Sequence, residues 1–312
     1  MHPALSIILF TVASGAGYGL MALTGLFAAA GALPPGRPLG LAALGLGITA
    51  VGVGLLASTR HLGRPERGWR ALSQWRSSWL SREGVASLAS LIPAGLLWLA
   101  LLLGSGSGAA LLPLGIATAL LAAITVGCTA MIYRSLKPIP QWHNSLVLPV
   151  YLALALMTGA LWLAALSALF GGNAGPAEAI ALAAILIAAA LKLAYWSAID
   201  RAAPRFTAAD ATGLQGSVRL FEAPHGEANF LLKEMGFRIA RKHRARLRRI
   251  ALATGFALPF VLLAAALRWS AIAAPAALAG ALIGTAGVLV ERWLFFAEAT
   301  HTVTLYYGAT AV

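Results

Sequence analysis

Residues 84–133 read GVASLASLIPAGLLWLALLLGSGSGAALLPLGIATALLAAITVGCTAMIY, and this stretch contains no charged side chain. The glycines and serines at 104–108, together with Pro113, divide it into two apolar segments joined by a tight turn. Each segment has the roughly 20 residues that an α-helix needs to cross a hydrocarbon core about 30 Å thick. The stretch therefore predicts two consecutive membrane-spanning helices.

The same pattern recurs on both sides of this stretch. The chain is 60% hydrophobic and only 11% charged, with a mean hydropathy of +0.81, which excludes an ordinary soluble domain. We predict one all-α domain over residues 1–312, a polytopic membrane bundle whose first helix is retained because no cleavage site follows it. Eight helices are expected at about residues 5–29, 39–58, 84–104, 110–133, 145–170, 177–198, 248–269 and 275–299.

Positive charge is concentrated in the loops on one side of these helices. The loops at about 59–83, 134–144 and 199–247 hold nearly all the arginines and lysines, whereas only Arg37 and Arg268 fall in loops on the other side. The positive-inside rule then places both termini and the three basic loops in the cytoplasm, with the chain in the bacterial inner membrane. The net charge of +13 follows from this rule and from attraction to lipid headgroups, so it does not call for nucleic acid as a partner.

The third basic loop is too long for a simple connection. Its second half, residues 229–249, mixes apolar and basic residues at helical spacing. This pattern predicts an amphipathic helix in the loop between the sixth and seventh spans, either lying on anionic lipid or forming part of a protein docking surface.

The cysteine and histidine content limits the redox groups that the chain can hold itself. Cys128 is the only cysteine, which excludes a disulfide, an iron–sulfur cluster and a zinc site of its own. None of the six histidines falls in the middle of a predicted span, where the two axial ligands of a membrane haem would be needed. We therefore expect no metal and no haem.

The densest group of functional residue types lies after the second helix, where residues 58–83 include the motif His-Leu-Gly-Arg-Pro at 61–65 and three tryptophans. The motif resembles that of the membrane-anchor subunits of the dimethyl sulfoxide reductase type, the DmsC family. The likeness extends along most of the chain. It includes residues 1–3, 10–11, 133–134, Pro140, 229–238 and 292–296.

The resemblance implies a haem-free anchor that is not itself catalytic. Such an anchor binds a ferredoxin-like iron–sulfur subunit, which in turn binds a molybdopterin catalytic subunit, and it exchanges electrons with a quinone, either ubiquinone or menaquinone. His61 matches the quinone-site histidine of the family, and Gly63, Arg67 and Glu83 match neighbouring functional positions. Arg64 stands where some relatives have a smaller residue, which affects the shape of the pocket.

The chemistry of these residues agrees with that role. Quinone reduction takes up two protons with two electrons, and an imidazole can exchange a proton with a quinone oxygen near neutral pH. Arg67 could polarise a quinone oxygen or hold Glu83, and Glu83 could relay protons or interact with the helix N-terminus. The alternative is that His61 is an interfacial hydrogen-bonding residue and that the loop arginines bind lipid phosphate. The three tryptophans are expected to be interfacial anchors.

The eighth helix carries a second set of ionisable residues. Glu291, Glu298 and His301 are spaced so that they would share one helical face, which suggests a proton path from the cytoplasmic side. A structural ion pair with Arg292 is an equally good interpretation. Lys192, near the cytoplasmic end of the sixth helix, is expected to extend its amine toward the membrane surface.

Topology narrows the choice of function. A cytoplasmic partner complex favours the sulfite-oxidising members of the family, which pass electrons from sulfite to the quinone pool. The alternative within the family is an anchor that oxidises menaquinol for a dimethyl sulfoxide reductase. Outside the family, the alternatives are a small-molecule transporter, for which no inverted repeat is found, and a purely structural tether.

Overall fold

The computed structural model describes residues 3–34, 38–59, 64–104, 108–170, 174–222, 227, 229, 231, 235 and 239–312. Within these residues eight helices are long and apolar enough to cross a membrane. The prediction of an all-α polytopic membrane protein is confirmed. The only β-type pairing in the described part is a single bridge between Thr207 and Ala311.

Ten α-helices follow one another along the described chain. They are α1 Leu5–Ala29, α2 Pro38–Thr59, α3 Trp79–Leu103, α4 Gly108–Arg134, α5 Val147–Leu169, α6 Gly175–Arg201, α7 Ala208–Thr212, α8 Ile239–Leu252, α9 Leu258–Arg268 and α10 Ala273–Ala297. The first six and α10 each form one span, and the short α7 lies in the loop after α6. The remaining span is made by α8 and α9, which are joined by a π-helical turn at Ala253–Ala257.

The third span begins earlier than the sequence predicted. Ser78 caps α3 by accepting a hydrogen bond from the backbone of Ser81, so the helix starts at Trp79 and not near residue 84. The charged pair Arg82 and Glu83 therefore lies inside the helix. Arg82 remains near the surface, where its guanidinium donates to backbone carbonyls of the preceding loop, whereas Glu83 is buried.

The amphipathic segment predicted in the loop between the sixth and seventh spans is partly described. Its second half forms α8, whose basic side chains at 243–246 are exposed. Because α8 continues through the π-helical turn into α9, this basic helix is the extension of the seventh span. Most of residues 223–238 lie outside the described part.

Helix α1 lies at the centre of the bundle, and 72% of the residues in its apolar membrane-spanning stretch are buried. It packs against α2, α4, α5 and α10. Small residues allow these close contacts: Gly19 faces the backbone of Ala155 and Gly159 on α5, and Gly17 faces the backbone of Gly47 on α2. In lipid, where helices gain little from hydrophobic burial, such close backbone packing is a main source of association.

The ends of the helices define one functional face of the bundle. Trp142, in the loop after α4, donates from its indole to the Phe295 carbonyl near the end of α10 at 2.9 Å. Arg205, in the loop after α6, donates from its backbone to the carbonyl of Val312 at 2.9 Å. We call the face that contains these loops, the end of α2 and the start of α3 the basic face.

The α1–α5 contact provides a test of the fold. Gly19→Ala should lower the free energy of unfolding by about 1–3 kcal/mol, because the added methyl group would overlap the backbone of Ala155. Gly52→Ala is the matched control, since nothing lies within 4 Å of that position and alanine favours the helix. Thermal denaturation of the purified chain in detergent measures both variants, and equal stability of the two would contradict the packing described here.

Candidate functional site

The loop between α2 and α3 folds back onto the start of α3. Residues Pro65–Gln74 form a 3-10 helix, and the Ser81 hydroxyl on α3 donates to the carbonyl of Ala71 within it. Arg82 adds two hydrogen bonds, to the carbonyls of Trp75 at 2.9 Å and Arg76 at 2.7 Å. The segment is therefore held against the membrane-spanning part of the chain.

The outer surface of this segment is aromatic and basic. Trp69 is 68% exposed and Trp75 is 52% exposed, and each has the guanidinium of the following arginine over its ring. Arg64 and Arg67 are also exposed. These side chains are available to lipid headgroups or to a partner protein on the basic face.

His61 and Gly63, the first two residues of the predicted quinone site, lie outside the described residues. The described neighbours are Thr59, which ends α2, and Arg64, which begins the folded-back segment. Of the predicted site, the structure thus places Arg64, Arg67 and Glu83.

The structure separates Arg67 from Glu83. Arg67 is exposed, whereas Glu83 is only 5% exposed and makes no ion pair with a described residue. The interpretation that Arg67 holds Glu83 is wrong. The Glu83 carboxylate instead accepts a hydrogen bond from the Thr129 hydroxyl on α4.

The Thr129 hydroxyl can form a hydrogen bond with Glu83 whether that carboxyl group is ionised or protonated. It has a second acceptor, the Thr125 carbonyl one turn earlier, at 3.1 Å. When Glu83 is ionised, Thr129 donates to it, and when Glu83 is protonated, Thr129 can accept from it and donate to the carbonyl. A buried carboxyl group with such a partner can gain and lose a proton without leaving a donor unpaired.

A cluster of three buried charges lies deeper among α5, α6 and α10. Glu291 makes ion pairs with both Lys192 and Arg292, and all three side chains are at most 3% exposed. The expectation that Lys192 extends to the membrane surface is wrong, because its amine finds its counter-charge inside the bundle. The alternative of an ion pair with Arg292 is confirmed. The Arg292 guanidinium also lies 4.1 Å from the centre of the Tyr151 ring on α5.

A second ionic cluster lies closer to the surface. Arg248 on α8 contacts Glu298 at 2.8 Å and Asp200 at 2.5 Å. The Trp196 ring is next to both clusters, since its centre lies 4.8 Å from the Lys192 amine and 5.0 Å from the Arg248 guanidinium. Asp200 is 36% exposed and so meets water.

His301 does not share the helical face predicted for it. Helix α10 ends at Ala297, so the spacing from Glu298 to His301 is no longer helical. The His301 imidazole accepts a hydrogen bond from the backbone of Val303 at 3.0 Å, and partial burial lowers its pKa. The proton path through Glu291, Glu298 and His301 stays a prediction.

The basic face also contains a broad cleft next to the C-terminal residues. Residues 309–312 pair with residues 205–208, and the adjoining cavity of about 770 Å³ is lined by the loop after α4 and the end of α6. Nearby, Thr207 and Asp210 cap α7 reciprocally, and the hydrogen bonds from the Thr207 side chain and backbone lower the pKa of Asp210.

Sequence reasoning missed Thr129 and Tyr151 and misread Lys192. Thr129 and Tyr151 look like ordinary helix residues in a polytopic chain, and only the packing of separate helices brings them to charged groups. Lys192 carried a usable signal, because a lysine within an apolar span is costly unless it has a partner.

The fold agrees with the comparison with known proteins. The chain matches the model of the DMSO reductase anchor subunit (DmsC) over residues 1–308, and it belongs to this family. It is therefore a membrane-anchor subunit of a molybdoenzyme complex. It is 31% identical to one of the subunits of the sulfite dehydrogenase of Allochromatium vinosum, and the alignment covers the full length of both chains.

The charge balance of the buried cluster gives a stability prediction. Glu291→Gln should destabilise the chain by about 3–5 kcal/mol, because it leaves Lys192 and Arg292 buried without a counter-charge. Lys192→Met should cost less, since one carboxylate and one guanidinium remain paired. Thermal denaturation in detergent compares the stabilities of the two variants, and Glu66→Gln, at an exposed position, is the control. If Glu291→Gln is as stable as the control, the cluster does not stabilise the bundle.

Proposed function

We propose that this chain is the quinone-reactive anchor of a heterotrimeric molybdenum and iron–sulfur oxidoreductase. It would pass electrons between an iron–sulfur subunit on the basic face and the quinone pool. The observation that supports this most directly is Glu83, a buried carboxyl group at the membrane end of the segment that contains the His61 motif. A carboxyl group is expensive to bury and is expected to serve a function there.

The residues would divide the quinone chemistry between them. Quinone reduction adds two electrons, supplied by the iron–sulfur subunit, and two protons. His61 would exchange one proton with a quinone oxygen, and Glu83 would supply or accept protons from within the bundle. Arg67, which is exposed and does not pair with Glu83, is free to polarise a quinone oxygen, and Arg64 and Gly63 would shape the entrance.

The basic face has the properties of a docking surface for the iron–sulfur subunit. It presents exposed Trp69 and Trp75, a row of arginines and the cleft beside the C-terminal residues. Tryptophan and arginine are enriched in protein interfaces. The positive-inside rule assigns this face to the cytoplasm, so we place the iron–sulfur and molybdopterin subunits there.

Sulfite is the substrate we assign to the catalytic partner. Two observations support it: the distribution of basic residues, which favours a cytoplasmic complex, and the full-length similarity to a sulfite dehydrogenase subunit. The family description favours a second candidate, a menaquinol-oxidising anchor of a dimethyl sulfoxide reductase-type enzyme. In that case the electrons would flow in the opposite direction.

Replacement of His61 tests the quinone-reactive role. In the purified complex, His61→Ala should lower quinone-linked turnover by about 10²-fold, the typical contribution of a positioned acid–base group. Electron transfer from the catalytic partner to a soluble artificial acceptor should be unchanged. His243→Ala, a histidine on the exposed part of α8, is the matched control. If quinone turnover is unchanged in His61→Ala, the remaining function for the chain is that of a structural tether for its partner subunits.

The orientation and the substrate can be tested together. A reporter enzyme fused to the C-terminus should be active only in the cytoplasm, and membranes containing the complex should reduce a quinone analogue when sulfite is added. A periplasmic reporter signal would remove the argument for sulfite. Dimethyl sulfoxide reduction by quinol, with no response to sulfite, would establish the second candidate.

A further inference from the structure

A small cavity lies between Glu83 and the buried charge cluster. It is formed by α1, α4, α5 and α10. The volume that the centre of a water molecule can occupy in it is about 20 Å³, which is enough room for one water molecule. Its polar lining comes from four helices. The lining side chains with polar groups are Thr11, Ser14, Tyr18, Thr129, Tyr151, Thr158 and Arg292.

Three of these side chains point to a polar occupant. The terminal nitrogens Nη1 and Nη2 of Arg292 and the hydroxyls of Tyr18 and Tyr151 are buried, and none of them makes a hydrogen bond of normal geometry with a described residue. Arg292 is 2% exposed and Tyr151 is 5% exposed. Buried donors of this kind are usually satisfied by an internal water molecule.

The cavity is connected to Glu83 and to Glu291 by side chains that line it. On one side Thr129 lines it and donates to Glu83, and on the other side Arg292 lines it and pairs with Glu291. The buried charges near the cavity sum to zero, because there are two cations, Lys192 and Arg292, and two carboxylates, Glu291 and Glu83. Transfer of a proton from Lys192 to Glu83 neutralises one cation and one anion, so it leaves the buried net charge at zero.

We propose that this cavity binds water and that the water, with the hydroxyls of Thr129 and Tyr151, forms a proton path between Glu83 and the Lys192–Glu291 pair. The inference rests on the quinone-linked function proposed above and names the route that supplies the site. For each proton that Glu83 gives to a reduced quinone, its carboxylate takes one proton along the water and the two hydroxyls. The Lys192 amine loses that proton through the Glu291 carboxylate with which it is paired, since Arg292 cannot release one.

The surface cluster restores the proton that Lys192 loses. Asp200 meets water, and both Asp200 and Glu298 are paired with Arg248. These two carboxylates carry the proton toward Lys192, whereas Arg248 only holds them in place, because a guanidinium has no acceptor for a proton. The whole route lies on the basic-face side of the bundle, so protons enter from the same face as the electrons. In quinol oxidation the same groups carry protons outward.

Tyr151→Phe removes one hydroxyl from the path and keeps the ring under Arg292. In the intact complex in membranes, quinone-linked turnover should fall about tenfold, less than the ~10²-fold loss for a group in direct acid–base contact, because water can partly replace the hydroxyl. The slowing caused by D2O should increase, because proton transfer becomes rate-limiting. Tyr195→Phe is the matched control, since its hydroxyl donates to the Gln141 carbonyl outside the cavity.

Thr129→Val is the second variant, with Thr125→Val as its control one turn earlier on the same helix. The Thr125 hydroxyl donates to the Leu121 carbonyl and does not line the cavity. Thr129→Val should show the same loss of turnover and the same increased effect of D2O. If the complex with Tyr151→Phe does not assemble, Thr129→Val tests the proton path in its place.

The outcomes separate this inference from the function on which it rests. His61→Ala is measured in parallel. If it loses turnover while the path variants behave like their controls, the proton path is wrong and the quinone site stands. If all variants retain turnover, the quinone-reactive role fails as well. Loss of turnover in the path variants without an increased D2O effect shows a structural role and also overturns the path.

Discussion

The Glu291 carboxylate pairs with two cations, Lys192 and Arg292, and all three side chains are buried in the bundle. Removing three charges from water costs several kcal/mol for each ion, so the arrangement persists only because the attraction is short-range and shared. The three residues come from α6 and α10, and Arg292 reaches across to Tyr151 on α5. The ionic cluster thus links α5, α6 and α10, and the glycine contacts of α1 join it closely to α2 and α5.

This cluster also determines what the interior can do chemically. A purely apolar bundle would hold the chain in the membrane but could not deliver protons to a buried site. The proposed proton path would use the cluster, the small cavity and the Thr129–Glu83 hydrogen bond to bring exchangeable protons into the bundle. In the proposed mechanism, the anchor function and the proton chemistry therefore depend on the same few buried groups.

Much of the fold was predictable because a bilayer imposes a simple length requirement. Uncharged runs of about 20 residues identified all eight spans, and glycine and proline identified their turns. The start of α3 was missed because Arg82 and Glu83 looked like loop residues. The sequence alone does not show that Ser78 caps the helix, or that a threonine on α4 receives the Glu83 carboxylate.

The site was predictable to a smaller extent. Chemistry and family resemblance point to Glu83 and the arginines of the segment as candidates, but residue spacing reveals nothing about contacts between separate helices. Thr129 is far from Glu83 in sequence, and Lys192 is far from Glu291, so neither pair could be predicted from one chain. The spacing argument failed for His301 because it assumed that α10 continued beyond Ala297.

The central claim is that the segment containing His61 forms a quinone site on the basic face. Titration of the purified complex with a fluorescent quinone analogue tests it directly. The account predicts saturable binding of one analogue per chain, lost in His61→Ala and retained in His243→Ala. Equal binding to the His61→Ala complex and the unmodified complex would contradict it.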